Sequence, residues 1–173
     1  FFYVGQQEDT LVTFHSILVA GFGISNENYD DFKGKTVVGE NLLVSWKIPV
    51  WKKKFKHEDR RPKQVNSLSE FIAKLCEKKP AAIFIVVDSI PSTIHEIEND
   101  PRLTDQLRNS AIPVIFINQN IAEKFLPGTK KRELYSDYLV KLESKGKPKL
   151  LFMSAEGSLK MVSDTKIMIG ENV

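Results

Sequence analysis

Three histidines, one cysteine and the adjacent acids Asp30 and Asp31 are the residues of this chain whose types and surroundings could do chemistry. A hydrolytic zinc site needs His, Asp or Glu ligands that converge on the metal and leave a position open for water. His15, His57 and His95 stand in neither His-Glu-x-x-His nor His-x-Asp spacing, and they fall in an apolar run, a charged loop and a polar connection. They read as ordinary surface or packed histidines, so no metal ligand is assigned. Asp30-Asp31 is the nearest approach to paired carboxylates. It lies in a stretch rich in Asn and Gly, where carboxylates cap turns, and no base or nucleophile accompanies it. Cys76 falls on the apolar stripe of a helix and is expected to be an inert core thiol; as the only cysteine it excludes an internal disulfide. Gly21-x-Gly23 lacks the third glycine and the following helix of a dinucleotide loop and reads as a strand bend. No catalytic and no cofactor-binding residue is assigned.

One segment could bind a partner. Lys52, Lys53, Lys54, Lys56, Arg60, Arg61 and Lys63 crowd together after Trp51, with Phe55 among them. Cations beside aromatic faces suit nucleic acid or an anionic surface, which makes Trp51, Lys52, Lys53, Lys54, Phe55, Lys56, Arg60 and Arg61 the candidate interaction loop. The competing and favoured reading is a solvated loop beside a domain interface. A formal charge of +3, from 25 basic and 22 acidic residues, is too small to imply a polyanionic partner by itself, so nucleic acid is disfavoured.

The elements that must position any site are plainest from Ala81 to Asn118. Ala81–Val87 and Ile112–Ile117 are unbroken apolar runs, which predicts two strands covered on both faces. Before them, Ser67-Leu68-Ser69-Glu70 has the form of a capping box, and Leu68, Phe71, Ile72, Leu75 and Cys76 make one buried helical stripe that Pro80 stops. Earlier still, Leu11–Ile24 predicts a strand bent at its glycines, Ser25–Gly34 a surface loop held by Tyr29 and Phe32, and Val37–Trp46 a strand centred on Leu42-Leu43-Val44.

Asp100-Pro101 predicts a helix start, Asn118 a cap for a short helix, and Lys131–Lys145 a helix presenting Leu134, Tyr138 and Leu142 and ended by Gly146. The tail predicts strands at Leu150–Met153, Leu159–Val162 and Lys166–Ile169, with a turn at Ala155–Ser158. A helix–strand–crossover–strand order implies a parallel pair. The flanking strands call for a second sheet or barrel, giving a β/β/α arrangement with helices on one side of the two apolar strands and other strands against their second side. At 173 residues the chain is the size of one domain, long enough to bury roughly 70% of its unfolded surface. No apolar run approaches the roughly 20 residues of a membrane helix.

Taken in order, Val19-Ala20-Gly21-Phe22-Gly23-Ile24, Tyr29-Asp30-Asp31-Phe32, Gly34-Lys35-Thr36-Val37-Val38, Pro49, the capped helix into Pro80-Ala81-Ala82-Ile83-Phe84-Ile85, and Ile112-Pro113-Val114-Ile115-Phe116-Ile117 resemble the protease-associated domain. The likeness is to the form carried by bacterial zinc aminopeptidases of the transferrin-receptor and glutamate-carboxypeptidase superfamily, and it covers most of the chain. It implies an α/β fold of the swivelling β/β/α type, with central strands flanked by helices and a second small sheet or barrel. It also implies one domain over residues 1–173, with 171–173 starting the connection to a catalytic domain. The implied role is that of a non-catalytic accessory domain, which covers or shapes an active-site entrance or holds a peptide or protein. Zinc would belong to the separate catalytic domain, and the parent would be secreted or periplasmic. The Lys-rich loop is not part of the family pattern. Two alternatives stay open: a stand-alone protein- or ligand-binding domain, and a polyanion-binding module using residues 52–63.

Overall fold

Apolar runs without alternation need cover on both faces, and the strands they form lie at the middle of a seven-stranded mixed sheet. The structure, a computed structural model, describes residues 2–3, 10–55, 61–125, 135–161 and 168–169. In chain order the elements are β1 (Phe2–Tyr3), β2 (Thr10–Val19), β3 (Ser25–Asn26), β4 (Tyr29–Asp30), β5 (Asn41–Ser45), α1 (Leu68–Cys76), β6 (Ala82–Val86), α2 (Ile90–Glu98), α3 (Pro101–Arg108), β7 (Val114–Ile117), α4 (Gln119–Phe125), α5 (Tyr135–Lys145), β8 (Leu151–Met161) and β9 (Met168–Ile169). The sheet runs β8-β2-β5-β6-β7-β1-β9, and β3 pairs with β4 in a separate two-stranded hairpin. Strands β2, β5, β6 and β7 are mutually parallel neighbours, while β8 and β1 add antiparallel on either side of them.

The alternation of side chains along these strands divides the core in two. Leu42, Val44, Ile83, Ile85, Val114 and Phe116 face one side, where Leu68, Phe71, Ile72 and Leu75 of α1 pack with Ile97 of α2 and Leu103 and Leu107 of α3. Leu43, Phe84, Val86, Ile115 and Ile117 face the other side, against Ala122 of α4 and Tyr135, Tyr138 and Leu142 of α5. Each fully buried aliphatic or phenyl side chain here contributes about 1.5–3 kcal/mol. The expectation of strands against the second face is met only in part. Tyr29 of the small hairpin lies there, but α4 and α5 supply most of the cover, because their apolar positions are the ones free to meet that face. Among the described residues the flanking strands extend the central sheet instead of closing a barrel around it.

The helix starts follow local chemistry. The Ser67 side chain accepts from the Glu70 amide at 3.2 Å, while the Glu70 carboxylate turns to Lys74 at 3.0 Å, so only half of the capping box forms. Asp100 accepts from the amides of Arg102 and Leu103, and Asn118 from that of Ile121. Helix α5 begins within the described residues at Tyr135, where the Glu123 carboxylate of α4 accepts from the amides of Tyr135 and Ser136.

The tail departs from the sequence expectation. No turn interrupts β8, which pairs with β2 from Leu151 opposite Val19 to Met161 opposite Thr10, with an irregularity between Phe14 and Ser16. Gly157 belongs to this ladder because the Phe14 ring occupies the space a side chain would take: a Cβ there would lie 2.5 Å from Phe14 Cζ. Phe2–Tyr3, not read as a strand from sequence, inserts as β1 between β7 and β9, and the Phe2 ring stacks on Phe116 at 4.6 Å. Residues 171–173, the expected connection, lie outside the described residues.

Candidate functional site

Two places gather the polar residues of interest. The first is the corner between β2 and β4. After Val19 the chain turns through Gly21 at φ +51° and Gly23 at φ +65°, conformations that favour glycine. A Cβ on Gly21 would also press to 2.6 Å from Leu142 and 2.9 Å from Asp31 Oδ1. Asp31 Oδ2 accepts from the amides of Phe22 and Ile24, both at 3.1 Å, and Oδ1 accepts from the Tyr29 hydroxyl at 2.8 Å. Asp30 instead accepts from the Phe32 amide at 3.0 Å. The adjacent acids therefore act separately, one inside and one at the surface, each tying backbone. Burial pushes the Asp31 carboxyl up to about 7, against the pull of its three donors, and the neighbouring Asp30 charge adds to the rise. Burial and then Asp31 push the Tyr29 hydroxyl well above its ordinary range, so it stays protonated and donates.

The basic loop is tied inward by its aromatic residues. Trp51 is buried, edge-on to Phe22, Tyr29 and Phe55, and its Nε1 donates to the Pro62 carbonyl at 2.8 Å. Its ring face is not offered to a partner. The amides of Lys52 and Lys53 donate to the Glu143 carbonyl, and the Lys53 ammonium sits 5.5 Å from the Phe55 ring. Lys52, Lys53, Lys54 and Arg61 are exposed and Phe55 is half-buried, whereas Lys56 and Arg60 lie outside the described residues. Stacking of bases on Trp51 is thus closed off, leaving exposed cations alone.

The second place is a cleft of about 400 Å³ at the C-terminal ends of β5, β6 and β7. Open sheets with parallel strands bind ligands at this end, where the connections diverge. Each strand delivers a polar residue as its apolar run stops: Ser45 after Val44, Asp88 after Val87 and Asn118 after Ile117. Gln119 and Asn120 of α4 and Lys47 after β5 add to the lining, and α5 closes it with Tyr135, Ser136, Leu139, Val140 and Glu143. Glu143 is a buried carboxylate whose Oε1 accepts from the Val50 amide at 2.8 Å. Among the described residues, the Tyr135 hydroxyl is the buried side-chain polar atom that lacks a hydrogen bond of ordinary geometry. Its pKa is raised chiefly by burial, a rise that the Ser45 side chain opposes, so it is a neutral donor. The cleft residues were not singled out in the sequence. The available signal was a polar side chain ending each central strand.

Among the described residues the arrangement presents no acid–base–nucleophile set of recognisable geometry. His15 and His95 are exposed and lie on β2 and α2, and His95 contacts Asn99 of its own helix. His57 lies outside the described residues. Cys76 is half-buried on α1, where burial raises its thiol pKa. Among the described residues no three His, Cys, Asp or Glu side chains gather as a metal site, and no helix is long and apolar enough to cross a membrane. Compared with known protein families, curated proteins and solved structures, the chain matches none.

Proposed function

We propose that this chain is a protease-associated-like domain with the swivelling β/β/α relationship of that family. Its role is that of a non-catalytic accessory to a zinc aminopeptidase-like protein of secreted or periplasmic location. In this reading it shapes the entrance to a catalytic cleft or holds a peptide or protein, and the zinc belongs to a separate catalytic domain. The observation that carries the reading is the use made of the Phe22-Gly23-Ile24 and Tyr29-Asp30-Asp31-Phe32 phrases. Their glycines and carboxylates build one corner of the fold, with Asp31 held by Phe22, Ile24 and Tyr29, which is the role a structural signature would have. The isolated chain, assayed with zinc and aminoacyl chromogenic substrates, should show no turnover; reproducible turnover would overturn the accessory role. The encoded sequence downstream of Val173 tests the parent, for which a His-x-Asp element and further acidic ligands are expected.

A further inference from the structure

The cleft at the ends of β5, β6 and β7 has a chemistry of its own, independent of any attached peptidase. It carries charges of both signs, Lys47 against Asp88 and Glu143. Among the described residues, one lysine beside two carboxylates does not suit a phosphate, which is bound by convergent cations and amides. Among the described residues its one lining ring, Tyr135, is 1% exposed and offers no aromatic face to a nucleobase or a sugar. The carboxamides of Asn118, Gln119 and Asn120 each present a donor and an acceptor, and Val86, Leu139 and Val140 supply an apolar wall.

We propose that this cleft binds a zwitterion of amino-acid or dipeptide size with an aliphatic side chain. Its ammonium group lies against Asp88 and Glu143, its carboxylate against Lys47, and its side chain on Leu139 and Val140. Complementary charges at fixed positions set both orientation and selectivity for such a ligand.

The test is a titration of the 173-residue chain, followed by amide NMR shifts, with leucine, leucyl-leucine, N-acetyl-leucine and leucinamide. Saturable shifts confined to Ser45, Asp88, Asn118 and Ser136 are expected for leucine, the dipeptide or both, and which of the two binds assigns the source. Blocking either end should weaken binding about tenfold or more, the loss of one charge pairing. Lys47→Met and Asp88→Asn, both at exposed positions, should weaken it similarly. The proposal fails if no saturable shift appears up to about 10 mM, a concentration matching only very weak affinity. It fails equally if the blocked ligands bind as well as the free ones, or if either variant binds as the parent does.

Discussion

Replacing Asp31 by asparagine separates the charge of the β2–β4 corner from its shape. The carboxyl is 1% exposed, and its pKa is raised from 3.8 to about 7, first by burial. A group whose folded pKa lies above its unfolded value stabilises fully below the unfolded pKa and loses that contribution as pH rises through the folded one. The window is therefore about pH 4 to 7, and stability falls across it as pH rises. A shift of about three units corresponds to about 4 kcal/mol between the ends of the window. In the Asp31→Asn variant the side chain carries no charge at any pH. Its carboxamide oxygen can accept from the Phe22 and Ile24 amides, and its NH2 group can face the Tyr29 hydroxyl, whose oxygen then accepts where it had donated to Asp31. Urea unfolding of both proteins, followed by circular dichroism at intervals from pH 4 to 8, isolates the effect of that buried charge. Asp31→Asn should match the parent near pH 4 and exceed it by up to about 4 kcal/mol at pH 8. A difference that stays flat, or a parent that gains on the variant as pH rises, would refute the reasoning and show that the three donors outweigh burial. Asp31→Ala serves as control, since leaving two buried amides unpaired costs about 1–3 kcal/mol each at every pH.

Other perturbations address the packing. Phe84 is fully buried between Phe14 and Phe125, so Phe84→Asp should abolish cooperative folding, and a transition close to the parent's would contradict its central place. Trp51→Ala removes three edge-on ring contacts and the bond to the Pro62 carbonyl, with an expected loss of about 3–5 kcal/mol in urea unfolding. If Trp51 were instead a solvated loop residue, the loss would stay within about 0.5 kcal/mol. Gly157→Ala places a Cβ 2.5 Å from a Phe14 ring that is backed by Phe84 and Phe125, and should cost about 1–3 kcal/mol. An unchanged midpoint would mean that β8 does not hold that register.

What could be read from the residues was what depends on near neighbours. The Ser67, Asp100 and Asn118 caps act on amides two or three residues away, and each was legible in the string. The apolar runs of β6 and β7 needed only their own composition to be placed as two-sided strands. Gly157 misled because Ala155-Glu156-Gly157-Ser158 has the composition of a turn, and the fact that Phe14 covers it is decided at the other end of the chain. Trp51 misled for the same reason: its neighbours in sequence are lysines, but its neighbours in space are Phe22 and Tyr29.

The cleft shows most clearly where local reading stops. Ser45, Asp88 and Asn118 were visible as the polar ends of three apolar runs, yet they become one lining only because β5, β6 and β7 are parallel neighbours and so end on the same side. The missing glycine-rich loop counts against a ligand that needs its phosphates cradled. It does not count against a ligand held by side chains at the same strand ends, where Lys47 and Asp88 stand.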